Sequence, residues 1–234
     1  MFIEGMTANE LMYQFEKDRK GLFNYFNIFL KRNFFLVNKK LTELKKEKRE
    51  TVVYSVEKQK INDNIYYIVF ILGKKFPFLP IFFGTMDDSN GKRYLVQFSF
   101  VHLNDEQEEQ EFKRPMIALY SYHIISRYRE RSLKKSDLDI EKVIHSFLKE
   151  VCRVMGGMFE VKSDYSSNFN RNNNYSFVTK LKTGVIVGTK IGDLITYKTF
   201  ISNDILKKDQ MDVLEEQEKR ETEWFFKNFI ERKF

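Results

Sequence analysis

A histidine and two arginines, His123, Arg127 and Arg131, recur at four-residue spacing in the middle of the chain. Residues four apart on an α-helix share a face, so the spacing predicts that the three side chains form one stripe. An imidazole can move a proton near neutral pH, and guanidinium groups can bind a phosphate and offset its developing charge. The stripe therefore predicts phosphodiester chemistry, with His123 as acid or base and Arg127 and Arg131 as phosphate ligands.

Further polar residues surround this stripe. Glu130 lies one position off it and is predicted to orient an arginine or to act as a second acid–base group. Lys134 and Lys135 follow directly and are predicted to contact nucleic acid. Spacing alone also allows the alternative that the whole segment is a solvated basic face. His102 and His145 form no convincing set with His123, so neither a zinc site nor a cofactor is expected, and carboxylate ligation of another metal stays open.

The run from His123 to Arg131, followed by the amphipathic stretch Asp137 to Ile144, resembles the helical opening of the RelE/ParE-like toxin superfamily. That superfamily belongs to a wider group with barnase, EndoU and the colicin ribonucleases, in which helices precede a four-stranded antiparallel sheet. The resemblance covers about residues 115–205. It implies metal-independent RNA cleavage with the 2′-hydroxyl as nucleophile, and it places active polar residues on the last strand, with Tyr197, Lys198 and Thr199 as the candidates.

The elements that position these residues are predicted from hydrophobic periodicity. Apolar residues at three- and four-residue spacing predict helix from Asn9 to about Arg49, either as two helices or as one broken near Gly21. Its basic final part is interpreted as a solvated face in preference to a nucleic-acid contact. Alternating apolar residues separated by turn residues then predict an antiparallel meander of four strands. The predicted strands cover residues 51–61, 64–72, 77–83 and 93–101.

The second half has a different order of elements. An acidic stretch at 105–111 separates it from the first half, and two helices are predicted from Ser121 to Ser132 and from Ser136 to Val151. Four antiparallel strands then follow at 158–162, 175–182, 185–190 and 194–201, with Gly184, Gly188 and Gly192 interpreted as turns or bulges, and a helix capped by Ser202 to Asp204 ends the chain. The predicted class is α+β, with a helical and β module at 1–112, a ribonuclease-like unit at 113–205 and a C-terminal helix at 206–234.

Composition limits the classes of function. The net charge of +7 and a pI near 9.2 are compatible with a polyanionic partner. A lysine-rich chain encoded by an AT-rich genome has the same excess of positive charge without such a partner. The single cysteine, Cys152, excludes a disulfide framework within one chain and is interpreted as a buried apolar residue. No segment approaches the roughly 18 consecutive apolar residues of a membrane span, and no secretory signal is recognisable, so a cytoplasmic protein without a membrane partner is expected.

The sequence thus predicts a nucleic-acid-directed protein, with RNA favoured over DNA, whose C-terminal half is a metal-independent, toxin-like endoribonuclease. Arg171, in an Asn-rich loop, and Lys198 are further predicted nucleic-acid contacts. One alternative is a catalytically silent nucleic-acid-binding or inhibitory protein. The other is a structural or assembly protein of a phage or mobile element. A protein inhibitor, or self-association through the terminal helices, is also compatible with the sequence.

Overall fold

The computed structural model describes residues 1–3, 5–49, 51–74, 78–87, 89–100, 115–153, 158–160, 177–191, 194–208, 210–212 and 214–216. The α+β class is confirmed. The chain divides into two compact units, Met1–Tyr122 with Gly192–Leu194, and His123–Ile191 with Ile195–Phe234. Several predictions lie outside the described residues: the boundary near 112, the acidic stretch 105–111, His102, the loop containing Arg171, and the helix beyond residue 216.

The first unit consists of a long helix and an antiparallel meander. Strands β1 to β5 are hydrogen-bonded in chain order, each antiparallel to the next, so the predicted meander is confirmed and gains a fifth strand. The elements are α1 (Ala8–Lys46), β1 (Thr51–Ile61), β2 (Asn64–Gly73), β3 (Leu79–Asp87), β4 (Arg93–Phe100) and β5 (Pro115–Tyr120).

Helix α1 is continuous over 39 residues, so the predicted break near Gly21 is wrong. A capping box starts the helix, because Thr7 accepts from the Glu10 N–H while the Glu10 carboxylate accepts from the Thr7 N–H. At Gly21 an added Cβ would lie 2.8 Å from Cγ2 of Ile61. The missing side chain therefore lets the helix approach the end of β1, and packing outweighs the poor helix propensity of glycine.

The inner face of α1 packs on the aromatic side chains of the meander. Phe15 stacks on Phe98 with ring centroids 4.4 Å apart, and Phe29 stacks on Phe70 at 4.1 Å. Phe70, Phe82 and Phe98 are buried in this core. The strand aromatics thus serve packing, as expected where one face of a sheet must be covered.

A buried carboxylate joins α1 to the β1–β2 hairpin. Asp18 is 3% exposed and accepts hydrogen bonds from Nδ2 of Asn62 at 2.6 Å, Nδ2 of Asn64 at 2.5 Å and the hydroxyl of Tyr66 at 2.8 Å. Oδ1 of Asn64 in turn accepts from the N–H of Phe2. Burial, together with the bond to Asp18, raises the pKa of Tyr66, so its hydroxyl stays protonated and continues to donate. The helix, the hairpin and the N-terminus are therefore held by one polar network.

The second unit has the predicted order of two helical segments followed by strands. Its strands are hydrogen-bonded in the order β9-β8-β7-β6, with β6–β7 and β7–β8 antiparallel. The elements are α2 (Tyr122–Tyr128), a π-helical turn (Arg129–Leu133), α3 (Ile140–Val151), β6 (Met158–Glu160), β7 (Phe177–Lys180), β8 (Gly184–Ile191) and β9 (Leu194–Ser202).

Several local features of this unit differ from the prediction. Helix α3 begins at Ile140 and not at Ser136, because the Asp139 carboxylate caps it by accepting from the N–H groups of Glu141 and Lys142. Gly188 lies inside β8, where it pairs with Phe177 of β7, and not in a turn. Glycine is needed at this position because a Cβ would lie 2.4 Å from the carbonyl oxygen of Thr196. Ser202 ends β9, and the helix after it starts near residue 208 and buries Leu214 against Val178, Val185 and Val187.

Cys152 follows the last turn of α3 and is 3% exposed. Burial raises the pKa of its thiol, so the reactive thiolate is scarce in the folded protein. We expect native protein to resist a thiol reagent such as iodoacetamide and unfolded protein to react completely, as followed by mass spectrometry. Rapid labelling under native conditions would contradict the buried position of Cys152.

Candidate functional site

Helix α2, which carries His123 and Arg127, has a buried side and an outer side. Ile124, Ile125 and Tyr128 are buried, whereas His123 is exposed and Arg127 is half-buried. His123 and Arg127 are four residues apart on regular α-helix, so they lie on one face, one turn from each other. Neither side chain has a hydrogen-bond or ion-pair partner in the part of the chain that the structure describes. An imidazole and a guanidinium are therefore adjacent and available to a ligand.

The ring of Tyr128 fixes α2 within the second unit. It packs edge-on against Phe147 of α3 at 5.4 Å and against Phe200 of β9 at 5.6 Å between centroids. Its hydroxyl donates to Oε2 of Glu150 at 2.8 Å. Burial, and secondly this hydrogen bond, raise the pKa of Tyr128, so it remains a neutral donor. The outer face of α2 is thus presented from a rigid support.

Arg131, the third residue of the predicted stripe, lies in the π-helical turn that follows α2. Its Nη1 donates to the carbonyl oxygen of Phe200 at 3.2 Å. Arg131 therefore fastens the turn to β9, next to Thr199, and its other N–H groups keep their capacity to donate.

Glu130 is exposed and its Oε1 accepts a hydrogen bond from the Ser126 hydroxyl at 3.1 Å. Glu130 was predicted to orient an arginine, but within the described residues it makes no hydrogen bond to an arginine. Glu130 is instead hydrogen-bonded to a residue one turn earlier on α2.

The remaining predicted residues lie on β9 and after the π-helical turn. Thr199 is half-buried and Lys198 is exposed, while the buried Tyr197 shares a hydrogen bond of 2.6 Å with Thr179. Tyr197 is part of the core, and this burial raises the pKa of its hydroxyl. Lys134 and Lys135 are exposed. No hydrogen bond links His123 to Thr199 among the described residues, so their convergence stays a prediction.

A second polar cluster, around Glu150, was not predicted from the sequence. Oε1 of Glu150 accepts from both the N–H and the hydroxyl of Thr183, at 2.7 and 2.8 Å, and Ser132 donates to the Thr183 hydroxyl at 2.8 Å. The only local signal was a glutamate near the end of an amphipathic helix. The cluster joins the end of α3, the π-helical turn and the β7–β8 turn, and so it positions the candidate site without belonging to it.

We expect Glu150→Ala to destabilise the protein by about 3 kcal/mol, because three donors lose a partly buried acceptor. Thermal unfolding followed by circular dichroism measures this change. Lys149→Ala, at an exposed position of the same helix, is the control, with an expected change of about 0.5 kcal/mol or less. Equal melting temperatures for both variants would contradict the role of Glu150.

Within the described ranges no group of three or more His, Cys, Asp or Glu side chains is placed to hold a metal ion. The helices described there also include none that is long and apolar enough to cross a membrane. Comparisons of the chain with protein-family models, with curated proteins and with solved structures find no match.

Proposed function

We propose that the protein acts on nucleic acid, with RNA as substrate, as a metal-independent endoribonuclease. The observation that carries the proposal is the pair His123 and Arg127, which lie one turn apart on the outer side of α2 without partners in the described chain. A proton-transfer group beside a phosphate-binding cation is the minimum that cleavage through the 2′-hydroxyl requires. The buried Tyr128 supports the arrangement by holding α2 in place.

In this proposal His123 takes the proton from the 2′-hydroxyl or returns one to the leaving 5′-oxygen. Arg127 binds the phosphate and stabilises the negative charge of the transition state. Arg131 contributes those N–H groups that Phe200 does not use, and the Thr199 hydroxyl beside Phe200 is an auxiliary donor. Glu130 is the second choice for the base.

Further basic residues guide the substrate in this proposal. Lys134, Lys135 and Lys198 are exposed cations that attract phosphates, and Arg171 has the same role in the proposal.

The experiment incubates purified protein with single-stranded and structured RNA in the presence of a chelator. We expect cleavage that persists in the chelator and leaves 2′,3′-cyclic phosphate ends, since the 2′-oxygen attacks the phosphorus. Loss of this activity in His123→Ala would support the assignment. Intact RNA under all conditions, or equal cleavage by wild type and His123→Ala, would overturn it.

A nucleic-acid-binding protein without catalytic activity is the second candidate. It is favoured by one observation, namely that Glu130 and Arg131 already have partners in Ser126 and Phe200. RNA binding that weakens with salt and shows no turnover would select this candidate, because phosphate contacts release counterions.

A further inference from the structure

The face of α1 that points away from the sheet carries positive charge along almost the whole helix. We call this the α1 basic face, defined by exposed residues at three- and four-residue spacing. It comprises Lys17, Lys20, Asn24, Ile28, Lys31, Arg32, Phe35, Lys39 and Lys46. From Lys17 to Lys46 it extends about 44 Å, at 1.5 Å per residue.

The cations of this face outnumber the acidic residues beside them. Lys20, Lys31, Arg32, Lys39 and Lys46 have no ion-pair partner among the described residues. Of the acidic residues of the helix, Asp18 is buried, Glu10 belongs to the capping box and Glu16 pairs with Arg19 at 3.1 Å. Glu43 pairs with Lys40 at 2.9 Å and offsets part of the charge of its neighbours Lys39 and Lys46. A helix face with this excess of cations attracts a polyanion.

An aromatic side chain lies within the row of cations. Phe35 is 80% exposed, and on a helix it shares a face with Lys31 and Lys39 at i−4 and i+4. Most of its ring contributes nothing to the core of the unit. An exposed ring between phosphate-binding cations is the combination by which single-stranded nucleic acids are bound, because the ring stacks on a base while the cations follow the backbone.

We propose that the α1 basic face binds single-stranded RNA, with its lysines and Arg32 on the phosphates and Phe35 stacked on a base. The inference deepens the proposed function and rests on it for the choice of RNA. It assigns substrate capture to the first unit, apart from the His123 centre.

Two other occupants fit the face less well. A second copy of the chain, docked symmetrically, would bring two rows of like charge together. An anionic membrane would need a continuous apolar face, but the apolar face of α1 already packs on the sheet. The exposed Phe34, Phe35 and Leu36 are consecutive residues whose side chains point about 100° apart, so they cannot enter one membrane plane together.

The test measures binding of a short unstructured RNA to the full chain, with His123→Ala throughout to prevent turnover. The variant Lys31→Gln, Arg32→Gln, Lys39→Gln, Lys46→Gln is compared with a control that removes four exposed cations of the second unit, Lys142, Lys149, Lys207 and Lys208, also to Gln. Fluorescence anisotropy gives Kd over about 50 to 200 mM salt.

We expect the slope of log K against log salt to become less steep by about 3 in the α1 variant, as each lost phosphate contact removes about 0.7. The control should keep the wild-type slope to within one such contact. Phe35→Ala should weaken binding about fivefold or more at unchanged slope, because a stacking contact carries no charge.

An unchanged slope in the α1 variant, or an equal loss in the control, would overturn the inference. Affinity for phosphatidylserine vesicles without affinity for RNA would also overturn it, in favour of a membrane surface. If the proposed function is wrong and the inference is right, RNA binds through α1 but the protein with His123 intact does not cleave it. If only the inference is wrong, the protein cleaves RNA in a His123-dependent way, and the α1 substitutions do not change RNA binding.

Discussion

The His123→Ala variant is expected to cleave RNA about 10²- to 10⁴-fold more slowly than wild type, the range for loss of a positioned acid–base group. His123 is exposed and has no partner within the described chain, so its removal leaves no buried group unsatisfied. The fold should therefore survive, and the loss should appear in kcat. The measurement is the single-turnover rate on a labelled RNA, with thermal unfolding recorded in parallel.

Two further variants test whether the effect is specific to His123 and whether the guanidinium of Arg127 is required. His145→Ala removes another histidine of the same unit, on α3, and should retain the wild-type rate. Arg127→Lys keeps the charge but loses the bidentate geometry of the guanidinium, so we expect an intermediate rate. If His145→Ala is as inactive as His123→Ala while both remain folded, the assignment of His123 as the acid–base group is wrong.

Replacing Asp18 is expected to produce the largest loss of stability, about 3 to 5 kcal/mol for Asp18→Ala. The substitution leaves the Asn62 amide, the Asn64 amide and the Tyr66 hydroxyl without their common acceptor, and Asn64 and Tyr66 are buried. It also removes the polar link between α1 and the β1–β2 hairpin. Urea unfolding followed by far-ultraviolet circular dichroism measures the change.

Asp63→Ala is the matched control, because Asp63 is an exposed acid in the turn of the same hairpin. Its expected effect is about 0.5 kcal/mol or less. Asp18→Asn should lie between the two, since one carboxamide oxygen can still accept from one or two of the donors. A loss in Asp18→Ala no greater than in Asp63→Ala would contradict the role of the network.

Elements with a strong local pattern were predictable from the sequence. The strands of the first unit follow from alternation and from turn residues such as Asn62, and each matches within a few residues. The spacing of His123 and Arg127 likewise predicts their shared face, because regular helix between them is a local property. Strand β5 was missed, because a run of six residues after an acidic stretch gives too short a periodic signal.

Local patterns were thus enough for the α+β class, the order of the elements and the shared helix face of His123 and Arg127. Long-range packing accounts for the unbroken course of α1 past Gly21, the burial of Asp18 and the hydrogen bond of Arg131 to the carbonyl of Phe200. These features depend on contacts between residues that are far apart in the sequence. The partners of Gly21, Asp18 and Arg131 are about 40 to 70 residues away, and periodicity describes only what a residue shares with its own element.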